Sequence, residues 1–140
     1  MNCLDEYRRE CRAMVAEAES ETMHPRELVA IAETCVVRPD SLIDWAPLLA
    51  WVRRDQVQSP WLIAAVLNRN GRFDESLELR ASKDDTLEQK ILIEIAERSL
   101  GNSTATQFDL DDAQVQQQFG WDWRVKFRIT QLYFELQSLQ

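Results

Sequence analysis

The chain has 140 residues, is 45% hydrophobic, and carries 16 Lys and Arg against 24 Asp and Glu, for a net charge of -8. That length suits a single domain whose core needs no staples, and the acidic balance excludes phosphate-backbone binding as its main task. Three Gly and four Pro leave few of the breakers that a β-rich chain needs at its turns, so the expected class is all-α. The charge is uneven: -4 over residues 1–60, -5 over 61–120 and +1 over 121–140.

In chain order, Leu4, Tyr7, Cys11, Met14, Val15 and Ala18 recur at three- and four-residue steps, the pattern of an amphipathic surface helix. Pro25 opens a second helix with Leu28, Ile31, Ala32 and Cys35 inward, ending near Arg38-Pro39 because the residue before a proline disfavours the α region. His24, the single histidine, reads as a cap or a surface residue. Asp40 or Ser41 is expected to cap the next apolar segment, which Pro47 should either kink or split into a short turn followed by a helix running from Pro47 to about Arg54.

Residues 59–101 carry the best repeat signal. Ser59 is placed as an N-cap and Pro60 at the first helical position, followed by Trp61, Ile63, Ala64, Val66 and Leu67, with Asn68 and Arg69 expected on the wet side. Gly71 fits a positive-φ helix exit, Asp74 is placed to cap the following helix, and Phe73 and Leu77 share its face. Thr86 with Gln89 forms a capping-box pattern for a helix containing Ile91, Leu92, Ile95 and Ala96, closed by Gly101. Helix, Gly-containing turn and helix is the grammar of a tetratricopeptide unit of about 34 residues. The expected architecture is a tetratricopeptide-like stack of about seven antiparallel helices.

Beyond Gly101, Asp111-Asp112 is a plausible acidic helix start, with Ala113, Val115 and Phe119 on one side before Gly120. The alternation of Trp121, Trp123, Val125, Phe127 and Ile129 with charged residues is a strand pattern. Val125, Ile129, Leu132, Leu136 and Leu139 nevertheless step by four and three, and no second strand candidate exists to pair with. A helix is the expectation; a strand would require another chain.

No phosphate loop, HExxH or nucleophile elbow is present, and Asp109, Asp111 and Asp112 lack the Gly and terminal Glu of a calcium loop. Cys3, Cys11 and Cys35 are an odd number without metal-ligand spacing, so reduced thiols are expected rather than zinc or a disulfide framework. No enzyme activity, cofactor or metal is expected. Without a basic-then-apolar leader or a bilayer-length apolar run, the expectation is a cytoplasmic protein that does not insert into membranes.

Binding remains. In helical-hairpin repeats the first helices line a concave groove suited to a partner helix. Placing Gly71 and Gly101 at equivalent turns pairs Trp61 with Ile91, Ala65 with Ile95 and Asn68 with Arg98, and these six are the candidate partner-binding residues. Trp61, Ile91 and Ile95 read equally well as core.

The run Leu67-Asn68-Arg69-Asn70-Gly71-Arg72-Phe73-Asp74-Glu75-Ser76-Leu77, with Ile95-Ala96-Glu97-Arg98-Ser99-Leu100-Gly101, resembles the tetratricopeptide co-chaperones of type III secretion systems, the G-type class of YscG, PscG and HrpG. The likeness covers residues 59–101, and Ser76 stands where the repeat usually has a small Ala. It implies a cytoplasmic chaperone or regulatory protein that holds a small helical secretion or regulatory partner. The alternative from composition is an acidic immunity or inhibitor protein covering a basic toxin or nuclease site, steered by charge.

Overall fold

A computed structural model describes residues 3–20, 23–54, 59–81, 87–101 and 123–139. The Thr86 cap, the Asp111-Asp112 helix start and Trp121 lie outside the described residues. Within them the chain is all-α, with seven helices and no strand. These are α1 (Cys3–Ser20), α2 (Pro25–Cys35), α3 (Ala46–Arg54), α4 (Pro60–Arg69), α5 (Phe73–Leu77, continued by a 3₁₀ turn over Glu78–Ala81), α6 (Leu87–Ser99) and α7 (Trp123–Ser138).

Local sequence sets most of the boundaries. His24 caps α2, its Nδ1 accepting from the Arg26 N–H at 3.1 Å. Pro25 and Pro60 each stand in a first turn, where a missing N–H costs no helical bond. α4 ends in a Schellman motif: Gly71 at φ 71° donates to the Asn68 carbonyl at 3.0 Å, and Arg72 to the Leu67 carbonyl at 2.9 Å. Gly101, at φ 77°, closes α6.

Three cap expectations are corrected. Ser59 has the extended backbone of an N-cap but makes no side-chain capping bond. Asp74 lies inside α5, whose N-cap is Arg72. Residues 41–45 are irregular, with bends at Ser41 and Ile43, and Asp44 Oδ1 accepts from Ala46 N–H at 3.0 Å at the start of α3, while Asp40 pairs with Arg8 and Arg38 instead. Asp40 and Ser41, six and five residues ahead of Ala46, are too far away to reach the free N–H groups of α3, and the Ser41 hydroxyl bonds to Tyr7 and the Arg38 carbonyl.

Packing follows the repeat pattern. α2 contacts α3, α3 contacts α4, α4 contacts α5 and α5 contacts α6 in sequence, while α2 with α4 and α4 with α6 pack directly as an inner layer. Ser76 is buried where α5 approaches α4, and its hydroxyl donates to the Ala64 carbonyl at 3.5 Å. α4 is the centre: Trp61, Leu62, Ala64, Ala65, Val66 and Leu67 are all buried. One core cluster runs from Cys11 and Val15 on α1 to Ile129, Leu132 and Leu136 on α7. Those last three, at steps of three and four, make residues 123–138 a helix with one apolar face, as the helical reading expects.

An acidic body carrying a basic C-terminal helix

α7 packs against α6, and its polar groups reach the rest of the inner layer. Near its start, Arg128 pairs with Glu88 of α6 at 2.7 Å, and its guanidinium carbon stands 4.1 Å from the centroid of the Trp61 ring on α4. Midway, Gln131 accepts from Arg38, just after α2, at 3.2 Å. Near its end, Arg69 of α4 grips Glu135 with two hydrogen bonds at 2.5 and 2.7 Å, and Arg98 of α6 donates to the Leu136 carbonyl at 3.2 Å. The helix that carries Arg124, Lys126 and Arg128 thus lies on the acidic part of the chain, joined to α4 and α6 at both ends.

Burial dominates the electrostatics here. The Glu88 side chain is 3% exposed. Desolvation raises its pKa above the ordinary carboxylate value, against the opposing effect of Arg128, and Glu33 adds to the rise. Arg69 is 4% exposed at its side chain. Besides Glu135, it donates from Nε and Nη2 to the Val36 carbonyl at 3.0 and 2.8 Å, and it stands 5.9 Å from the Trp45 ring. A guanidinium can serve all three because its planar fork presents five N–H donors in fixed directions.

The six expected groove residues are not open. Trp61 is 8% exposed beneath Arg128, and Ala65, Ile91 and Ile95 belong to the core cluster. Asn68 turns toward α6, donating from Nδ2 to the Leu92 carbonyl at 2.9 Å; its Oδ1 has no hydrogen bond among the described residues. Arg98 pairs with Glu94 at 3.5 Å and bonds to the end of α7. The structure therefore brings Trp61 and Arg98 to one helix, buries the three apolar residues, and turns Asn68 away to α6. The expectation of Asn68 and Arg69 on a wet face is overturned, because α6 covers the first and α7 the second.

Arg69, Glu88, Arg128 and Glu135 are what sequence reasoning missed. Periodicity assigns charged residues to solvent by default, and nothing in the spacing links Arg69 to Glu135 or Glu88 to Arg128. The one available signal was the positive balance of residues 121–140 against the negative remainder.

One face of α7 stays accessible. Phe127 and Phe134 are exposed. A cleft of about 340 Å³ also lies between α2 and the first half of α7, lined by Tyr7, Glu33, Thr34, Val37, Phe127 and Arg128 among others. Among the described residues no helix is long and apolar enough to cross a membrane, and no cluster of three or more His, Cys, Asp or Glu residues is placed to hold a metal. Comparison of the chain with protein-family models, with curated proteins and with solved structures finds no match.

Proposed function

We propose that this chain is a non-catalytic protein-binding module whose α2–α4–α6 layer receives an amphipathic helix. The observation that carries the reading is α7 itself. It has an apolar face of Ile129, Leu132 and Leu136, it is fixed at one end by Arg128 on Trp61 and Glu88 and at the other by Glu135 on Arg69, and so it exemplifies the ligand such a surface takes. A helical partner would bind by taking the place of α7, and Trp61 and Arg98 would then meet the partner's side chains. The resemblance of residues 59–101 supports a finer version. In it the chain is a cytoplasmic type III secretion co-chaperone or regulatory protein, and its partner a small helical protein of that apparatus.

The test uses the full chain as bait in native cytoplasm at low and high salt, followed by hydrogen exchange on the captured complex. The expected result is a small helical protein held at both salts, with α7 amides exchanging faster in the complex while α4 and α6 stay protected. Unchanged α7 protection with new protection elsewhere overturns the displacement reading. A basic toxin or nuclease that salt releases overturns it in favour of charge-steered inhibition.

A further inference from the structure

The cleft beside α7 takes its walls from three parts of the fold: Tyr7 from α1, Glu33 from α2 with Val37 just after it, and Phe127 with Arg128 from α7. The Tyr7 side chain is held at its tip, where the hydroxyl donates to the Thr34 carbonyl and accepts from Ser41 Oγ at 3.2 Å. Val37 is buried, while Phe127 remains 51% exposed, an apolar surface that the described residues leave uncovered. Two aromatic side chains and a valine thus line an opening of about 340 Å³, at the small end of the roughly 300–1,000 Å³ that ligand pockets occupy. Such a space suits one aromatic ring with a short polar tail.

The charged side chains that line the same opening differ in how far they are already engaged. Arg128 is paired with Glu88 at 2.7 Å and stacked over Trp61. Arg124 is exposed, where water and salt screen its charge. Glu33 is half-buried and forms no ion pair among the described residues. It also acts on Glu88 as a like charge, so the local field around it is acidic. The charge left unanswered in the cleft is therefore a carboxylate that shares its opening with two aromatic rings, in a chain of net charge -8. A cation placed there gains a charge-assisted hydrogen bond from the carboxylate and attraction from the ring faces.

We propose that this cleft is a binding site for a small aromatic cation, an arylamidine or arylmethylamine, with its ring against Tyr7, Val37 and Phe127 and its charged group on the Glu33 carboxylate. A flat amidinium suits the site because two parallel N–H groups can meet the two carboxylate oxygens. Since the walls belong to different helices, an occupied cleft ties α2 to α7 and stabilises the folded chain by mass action. This site is independent of the helix-binding reading.

The experiment titrates the isotope-labelled full-length protein with benzamidine, neutral benzamide and anionic benzoate at one ionic strength, following the amide resonances. Benzamidine should saturate with a Kd of about 1 mM and shift amides around Glu33, Val37 and Phe127. Benzamide and benzoate should bind at least about tenfold more weakly, and Glu33→Gln should lose about tenfold for benzamidine while keeping the wild-type fold. If Glu33→Gln does not fold, the ranking of the three probes on the wild type decides alone. Benzoate binding as tightly as benzamidine overturns the proposal, since the arginines would then set the preference. So do shifts confined to residues outside the cleft, a Glu33→Gln variant that binds as well as the wild type, or no saturation by about 10 mM benzamidine.

Discussion

Trp61 lies beneath the guanidinium of Arg128 and within the core cluster, so its indole contributes both buried area and a cation–π contact. Trp61→Ala should cost about 3–5 kcal/mol, read from urea unfolding, and a loss under 1 kcal/mol would show that the indole is not core. Glu88 offers a pH test. Its folded pKa is raised above the ordinary 4.5 by burial. Between that value and its folded pKa the native state binds more protons than the unfolded state, so this group's contribution to stability falls as pH rises through that window. Glu88→Gln keeps an acceptor for Arg128 without the buried charge. It should melt above the wild type near pH 7, with the gap closing as pH falls toward 4.5. A loss of stability near pH 7 that shrinks as pH falls would mean that the ion pair with Arg128 outweighs desolvation. Which residues were legible also differs at this scale. His24 as a cap and Gly71 at positive φ follow from local chemistry that sequence spells out. Arg69 looks like any charged residue at a helix end, and only the helix laid over it makes it a buried hub.

Among the elements, α7 is the one whose identity depended on context. Its alternating first half admits a strand, but Ile129, Leu132 and Leu136 reach one core only on a helix, and that helix finds α6 to cover them. Its attachment rests on two charged contacts to α4 and α6. Removing one partner of the Arg69–Glu135 pair leaves a buried charge alone, so Arg69→Met should cost about 3–5 kcal/mol. Glu135→Leu should cost less, because Arg69 retains the Val36 carbonyl. The double variant should recover part of the loss, since an apolar pair of similar size carries no desolvation penalty. Thermal melts with hydrogen exchange check this. If α7 exchanges no faster in Arg69→Met than in wild type, the pair does not hold the helix down. The repeat hairpins, by contrast, were readable because each boundary is local: Pro60, Gly71 and Gly101 act within a single turn. Caps placed by residue type alone failed at Ser59, which stands at the N-cap without a side-chain capping bond, and at Asp74, which lies inside α5.

Across the whole molecule, one core cluster links α1 to α7, and α7 bridges α4, α6 and the segment after α2. Such cross-linking favours one cooperative transition. Unfolding in urea followed by tryptophan near-ultraviolet and by helical far-ultraviolet circular dichroism should give coincident curves. A separate early step in the far-ultraviolet signal would show α7 leaving alone. Composition and periodicity alone determined an acidic all-α chain, its hairpins between Pro60 and Gly101, and the inward stripes of α2, α6 and α7. Those features depend on contacts a few residues apart, which the order of residues records directly. Only the tertiary structure decided that the inner layer is covered by the chain's own last helix, that Asn68 and Arg69 are buried, and that Glu33 and Phe127 line one cleft. Each of these joins residues far apart in the chain, and their adjacency arises from how the helices stack, which no local pattern encodes.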